Sequence, residues 1–143
     1  MKTVNDVLKG KGGQLATIAP NATVFEAIKV MADKEIGALL VMEGDNLLGI
    51  LTERDYARKI IILGKSSKET AVLEIMTTKV MVVNPGNTVE ECMAIMTDKH
   101  VRHLPVVEHG KVVGIISIGD AVKAIISEQH FTINNLVNYI MGG

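Results

Sequence analysis

Shifted by 65 positions, residues 20–61 of this chain fall on residues 85–126 without a gap. Of the 42 pairs so formed, 15 are identical: Pro20/Pro85, Thr23/Thr88, Val24/Val89, Glu26/Glu91, Met31/Met96, Asp33/Asp98, Lys34/Lys99, Leu39/Leu104, Val41/Val106, Glu43/Glu108, Gly49/Gly114, Ile50/Ile115, Asp55/Asp120, Ile60/Ile125 and Ile61/Ile126. Thr52/Ser117 and Arg58/Lys123 are conservative pairs. Chance at ordinary composition gives about two or three identities over such a span, so the two segments are copies of one unit. One repeat of roughly 60 residues would be marginal alone. Two copies stacked about a pseudo-twofold axis would share one core and leave two related clefts.

Each copy spells the same elements. A short apolar strand (17–19; 80–84) runs into proline and then into Thr23-x-x-Glu26 or Thr88-x-x-Glu91. Both fit a capping box, in which the Thr hydroxyl and the Glu carboxylate satisfy amides of the first helical turn. Behind it Val24, Ala27/Ile28 and Met31 recur at helical spacing, as do Val89, Cys92/Met93 and Met96, so each helix has one apolar face. Two apolar runs joined by a polar, Gly-containing turn follow (38–42 and 47–52; 104–107 and 112–117), which predicts a hairpin. A second helix closes each copy, at 53–63 and 118–127. The predicted fold is α/β, with two β-α-β-β-α repeats over residues 1–64 and 71–127. A polar connector covers 65–70, and a C-terminal helix covers 128–143, with Ile133, Leu136/Val137 and Ile140 at helical spacing. Gly10-Lys11-Gly12-Gly13 reads as flexible.

Composition excludes several classes of function. Fifteen basic against 16 acidic residues give a net charge of -1, so no cationic field drives nucleic-acid binding. With no polybasic stretch and apolar runs too short to span a bilayer, neither a membrane nor a nucleic acid is expected as a partner. The start lacks an apolar leader, so a cytoplasmic protein is expected. Cys92 is the single cysteine, which rules out an internal disulfide, and its place on an apolar helix face reads as an inert core thiol. His100, His103, His109 and His130 show no ligand spacing with carboxylates or Cys92, so no metal is expected. Gly64-Lys65-Ser66 resembles the end of a phosphate-binding loop, but Lys59 stands where its first glycine belongs and a helix precedes it.

The sharpest paired motif closes each repeat: Gly49-Ile50-Leu51-Thr52-Glu53-Arg54-Asp55 and Gly114-Ile115-Ile116-Ser117-Ile118-Gly119-Asp120. A glycine-led strand delivers a hydroxyl residue to a helix start, with a carboxylate three residues on. One reading is helix capping, with Asp favoured in the first turn by the helix dipole. The other is a nucleotide site, in which amides and hydroxyl hold phosphate and the carboxylate accepts from ribose hydroxyls. One residue can do both.

With these two motifs in register, the chain resembles tandem CBS domains, the Bateman module, over residues 4–126. The resemblance is greatest to small stand-alone bacterial CBS pairs, and it implies the following. Such modules bind adenosine-containing ligands (AMP, ADP, ATP, NAD(H) or S-adenosylmethionine) in the two clefts between repeats. They pair into homodimers, regulate a partner protein and do not catalyse. Asp55 and Asp120 would take the ribose hydroxyls, and Thr52 and Ser117 would contact ribose or phosphate. The Asp55 cleft would gain Val101, Arg102, His103 and Met81; the Asp120 cleft would gain Ile36, Gly37, Ala38 and Ala16. Arg54, Arg102 and His103 would then gather at the Asp55 cleft and make it the better anion site. A ligand-independent dimerisation scaffold is the alternative reading, and a nucleotide-processing enzyme a more distant one.

Overall fold

A computed structural model of the chain describes residues 2–12 and 15–141. Its elements run α1 (Val4–Lys11), β1 (Thr17–Ile18), α2 (Val24–Lys34), β2 (Ala38–Glu43), β3 (Asn46–Thr52), α3 (Glu53–Tyr56) continued by a π-helical stretch (Ala57–Ile61), α4 (Val72–Ile75), α5 (Val89–Lys99), β4 (His103–Glu108), β5 (Lys111–Ser117) and α6 (Ile118–Ile140). They form two compact units, one from residues 14–81 with 110–112, the other from 1–13, 82–109 and 113–143.

In the first of these units, β1 lies parallel to β2, and β2 lies antiparallel to β3 with Ala38 opposite Thr52 and Leu40 opposite Ile50. The hairpin turns at Gly44, whose φ of 61° is left-handed and free of steric cost only for glycine. Helix α2 begins where the Thr23 hydroxyl accepts from the Glu26 amide at 3.1 Å. Its predicted stripe of Val24, Ala27 and Met31 is buried against Leu39, Val41, Leu51 and Ile60. The other unit repeats the plan: α5 packs Cys92 and Met96 on Leu104, Val106 and Ile116. Here the capping box closes both ways between Thr88 and Glu91, whereas at Thr23 only the hydroxyl half forms.

Four expectations need correction. The strand expected at 80–84 is reduced to one parallel bridge, Val83 to Val106. The helix expected at 53–63 ends earlier and changes to π-helical winding at Ala57. The separate closing helix and C-terminal helix are one continuous helix, α6, because nothing between Ser127 and Glu128 breaks it. The Gly10-Lys11 stretch read as flexible is the last turn of α1, while Gly13 lies outside the described residues.

Helix α1 and its counterpart α4 also pack differently from the repeat boundaries at 64 and 71. Val4 of α1 is fully buried among Val83, Cys92 and Met96, and its amide donates to Asn87 O at 2.8 Å. Val72 of α4 sits in the core of α2, and its amide donates to Ala22 O at 2.8 Å. Each β-hairpin is therefore completed by the leader of the other copy. Among the described residues, no helix is long and apolar enough to cross a membrane.

Candidate functional site

Both glycine-led strands end in the predicted cap. The Asp55 amide donates to Thr52 Oγ1 at 3.1 Å and the Thr52 amide to Asp55 Oδ2 at 3.0 Å. The Asp120 amide donates to Ser117 Oγ at 3.1 Å and the Ser117 amide to Asp120 Oδ2 at 2.8 Å. The first amide of each helix is also placed alike: Glu53 N donates to Gly37 O at 3.1 Å and Ile118 N to Arg102 O at 2.8 Å. Capping is thus a structural fact at both motifs. What remains to each site is set by the hydrogen-bonding capacity left over.

At Asp55 nothing is left over. An ionised carboxylate offers about four lone-pair sites. Asp55 Oδ2 takes the Thr52 amide and the Thr52 hydroxyl (3.1 Å), while Oδ1 takes the Thr77 hydroxyl (3.1 Å) and the Lys59 ammonium (3.1 Å). The Asp55 side chain is only 9% exposed. Thr77 is held there by its antiparallel bridge to Ile50, with N–H to O distances of 2.9 and 3.0 Å. That approach needs Gly49, because a Cβ there would lie 2.6 Å from Thr77 O. Lys59 is tied down further by donating to Ile75 O at 2.8 Å.

At Asp120 the same cap leaves capacity free. Oδ2 takes the Ser117 amide and the Lys11 ammonium, the latter at 2.7 Å. Oδ1 has no partner among the described residues, and neither has the Gly119 amide. The Ser117 hydroxyl accepts from the Asp120 amide, and its own hydrogen bond to the carboxylate helps to hold Asp120 ionised. The carboxylate is 22% exposed. Burial pushes its pKa up, but the Lys11 ammonium and the Ser117 amide and hydroxyl outweigh this and hold it below the ordinary value, so it is ionised at neutral pH. His103 lies close enough to feel the Asp120 charge; burial pushes its pKa down, Asp120 opposes, and Lys11 and Arg102 reinforce. The imidazole is therefore neutral at pH 7.

The remaining predicted residues divide between the units. Ile36, Gly37, Ala38, Ala16, Met81 and Arg54 belong with Thr52 and Asp55. Ala38 is buried opposite Thr52, Ile36 packs on the α2 core, and Ala16 O accepts from Leu40 N at 3.1 Å. Met81 and Arg54 are exposed. Val101, Arg102 and His103 belong with Ser117 and Asp120, Val101 against the α5 core. Arg54 thus lies in one unit and Arg102 and His103 in the other, and the carboxylate whose charge His103 feels in its own unit is Asp120.

Sequence reading missed Lys59, Thr77 and Lys11. The i, i+4 spacing of Asp55 and Lys59 is a readable signal; Thr77 and Lys11 reach their carboxylates from distant segments and carry none. Cys92 is fully buried, and burial, helped by Glu91 and Glu90, pushes its thiol pKa up, as an inert thiol requires. Among the described residues, no group of three His, Cys, Asp or Glu side chains is placed to hold a metal ion.

Comparison with known proteins matches the family model described as CBS domain to residues 11–62 and 72–127. The chain is 42% identical over 150 residues to the mitochondrial CBS domain-containing protein CBSX3 of Arabidopsis thaliana, covering 99% of this chain and 73% of that protein. A solved structure of a protein with CBS domains from Burkholderia ambifaria MC40-6 is 53% identical, with a TM-score of 0.86 over 90% of this chain and 96% of that one. A hexameric CBS-CP12 protein from bloom-forming cyanobacteria is 32% identical, with a TM-score of 0.73 over 84% and 70% of the two chains.

Proposed function

The chain belongs to the CBS-domain family, whose paired modules are regulatory rather than catalytic, and on that premise we propose that it binds an adenosine-containing nucleotide through the Ser117–Asp120 motif and reports that binding to a partner. The observation that carries the reading is the unfilled capacity at this motif. Asp120 Oδ1 accepts a ribose hydroxyl, while the Ser117 hydroxyl oxygen and the Gly119 amide contact ribose or phosphate. AMP, ADP, ATP, NAD(H) and S-adenosylmethionine share the adenosine that this pattern reads. With aromatics at 3% of the chain, the adenine is held by aliphatic side chains and backbone amides rather than by ring stacking. No metal is needed for this recognition. Binding acts on the partner by favouring one conformation of the module through differential affinity.

Thermal shift against AMP, ATP, NADH and S-adenosylmethionine tests the reading. A rise in melting temperature with at least one is expected; no shift with any at millimolar ligand overturns it. A nucleotide-processing activity would show as turnover of ATP or NADH on overnight incubation, and none is expected.

The scaffold reading draws support from α6. Beyond Ile126 this helix leaves Ile133, Leu136, Val137 and Ile140 half or more exposed, and the hexameric CBS-CP12 relative supports self-association in the family. A homodimer is proposed accordingly. Light scattering on the full chain and on a chain ending at residue 128 tests whether α6 braces it: the truncation is expected to shift the assembly toward monomer.

A further inference from the structure

The 65-residue shift matches two corners of the molecule that have opposite surfaces. Phe25 on α2 corresponds to Glu90 on α5, Lys29 to Ala94, Ile62 to Ser127 and Leu63 to Glu128. In the first unit the corner is apolar and basic. Phe25, Ile61, Ile62 and Leu63 are 44–74% exposed. The Phe25 amide donates to Ser67 O at 2.9 Å, which ties the start of α2 to the segment after Leu63. From that segment the Lys68 ammonium lies over the Phe25 ring, 4.9 Å from its centroid. Beyond the charges that both copies share, Lys29, Lys65 and Lys68 stand here against Glu69.

The matched corner of the other unit is a groove of about 460 Å³, lined by Glu90, Ile125, Glu128, Gln129, Thr132 and Ile133. Ile125 and Ile133 make its apolar wall, and the two glutamates make it acidic. Glu90 Oε2 is buried with no hydrogen-bond partner among the described residues. A carboxylate oxygen withdrawn from water and left unpaired is destabilising, and a cation at the carboxylate offsets that penalty. Two like corners meeting would set lysine against lysine or glutamate against glutamate. Unlike corners bring apolar to apolar and opposite charges together.

We propose that the occupant of this groove is a second copy of the chain, whose Phe25–Lys68 corner seats there with the Lys68 ammonium on the Glu90 carboxylate and the Phe25 ring against Ile133. The inference rests on the homodimer reading above and deepens it by stating which faces meet. A pair related by a twofold axis makes this contact twice.

Sedimentation equilibrium on the full chain tests the pairing, with circular dichroism to confirm that each variant is folded. Lys68→Glu and Glu90→Lys are each expected to raise the dimer dissociation constant by roughly ten-fold or more, because both contacts then oppose like charges. An equimolar mixture of the two variants is expected to associate as the wild type does, since every contact in the mixed pair has one charge of each sign. Phe25→Glu, which introduces the residue type of the matched position, is expected to weaken the dimer as well and leaves the groove itself untouched. Dimers unaffected by Lys68→Glu and Phe25→Glu, or a mixture no stronger than its components, overturn the pairing and leave the homodimer reading intact. A wild type that sediments as a monomer overturns both.

Discussion

Thr52–Asp55 and Ser117–Asp120 are copies of one motif with one capping geometry, yet among the described residues only the second carboxylate has an oxygen to spare. Asp55 is closed by Thr77 from the segment after α4 and by Lys59 on its own helix. Among the described residues Asp120 takes one hydrogen bond from outside its motif, that of Lys11, and its Oδ1 has no partner. Duplication supplied two equivalent helix starts; the neighbours of each then decided which is structural and which can recognise a ligand. A motif that serves as a cap is not thereby excluded from binding, and the count of unfilled lone pairs and donors separates the two roles.

The largest difference between the copies is expected at the glycines that lead the strands. Gly49→Ala pushes a methyl group against backbone, Thr77 O, and is expected to cost about 2–3 kcal/mol. Gly114→Ala meets only the tip of Leu8 and is expected to cost about 1 kcal/mol; equal losses in urea unfolding would break the contrast. Next come the carboxylates. Asp55→Ala strands the Thr77 hydroxyl and the Lys59 ammonium and is expected to cost about 2 kcal/mol, against about 1 kcal/mol for Asp120→Ala, which loses chiefly a cap.

The lysines should differ less. Lys59→Met is expected to cost about 1 kcal/mol, because it also frees Ile75 O, and Lys11→Met about half that or less, by thermal melting of both variants. The smallest effect is a pH dependence confined to the Asp120 unit. Burial holds His103 below its ordinary pKa, so as pH falls the unfolded chain takes up the proton first, near pH 6.5. Stability from this residue is full above that pH and declines below it. The wild type is expected to lose more melting temperature between pH 7.5 and 5 than His103→Gln does; a larger loss in the variant would reverse the sign. The repeat gives Ala38 at the equivalent position, so the Asp55 unit has no such term.

Much of this was legible in the sequence. The 65-residue shift placed both hairpins, both capped helices and both carboxylates, because each rests on local pattern: alternation, helical spacing, a Thr or Ser three residues before an acid. It could not place α1 or α4. Their hydrogen bonds pair Val4 with Asn87 and Val72 with Ala22, a spacing three residues longer than that of the repeat body, so the leaders drop out of register with the copies they complete. Lys11 and Thr77 were unreadable for the same reason. They meet Asp120 and Asp55 across 109 and 22 residues of sequence, and no local spacing reports such a contact. Without them the motifs look equal.

Calorimetric titration of AMP into the wild type, Asp55→Asn and Asp120→Asn tests the division of roles most directly. Both substitutions keep the shape of the side chain and remove its charge. One AMP per chain is expected in the wild type, with binding retained in Asp55→Asn and lost in Asp120→Asn. Two equivalent sites, or binding lost in Asp55→Asn and kept in Asp120→Asn with both variants folded by circular dichroism, would contradict it.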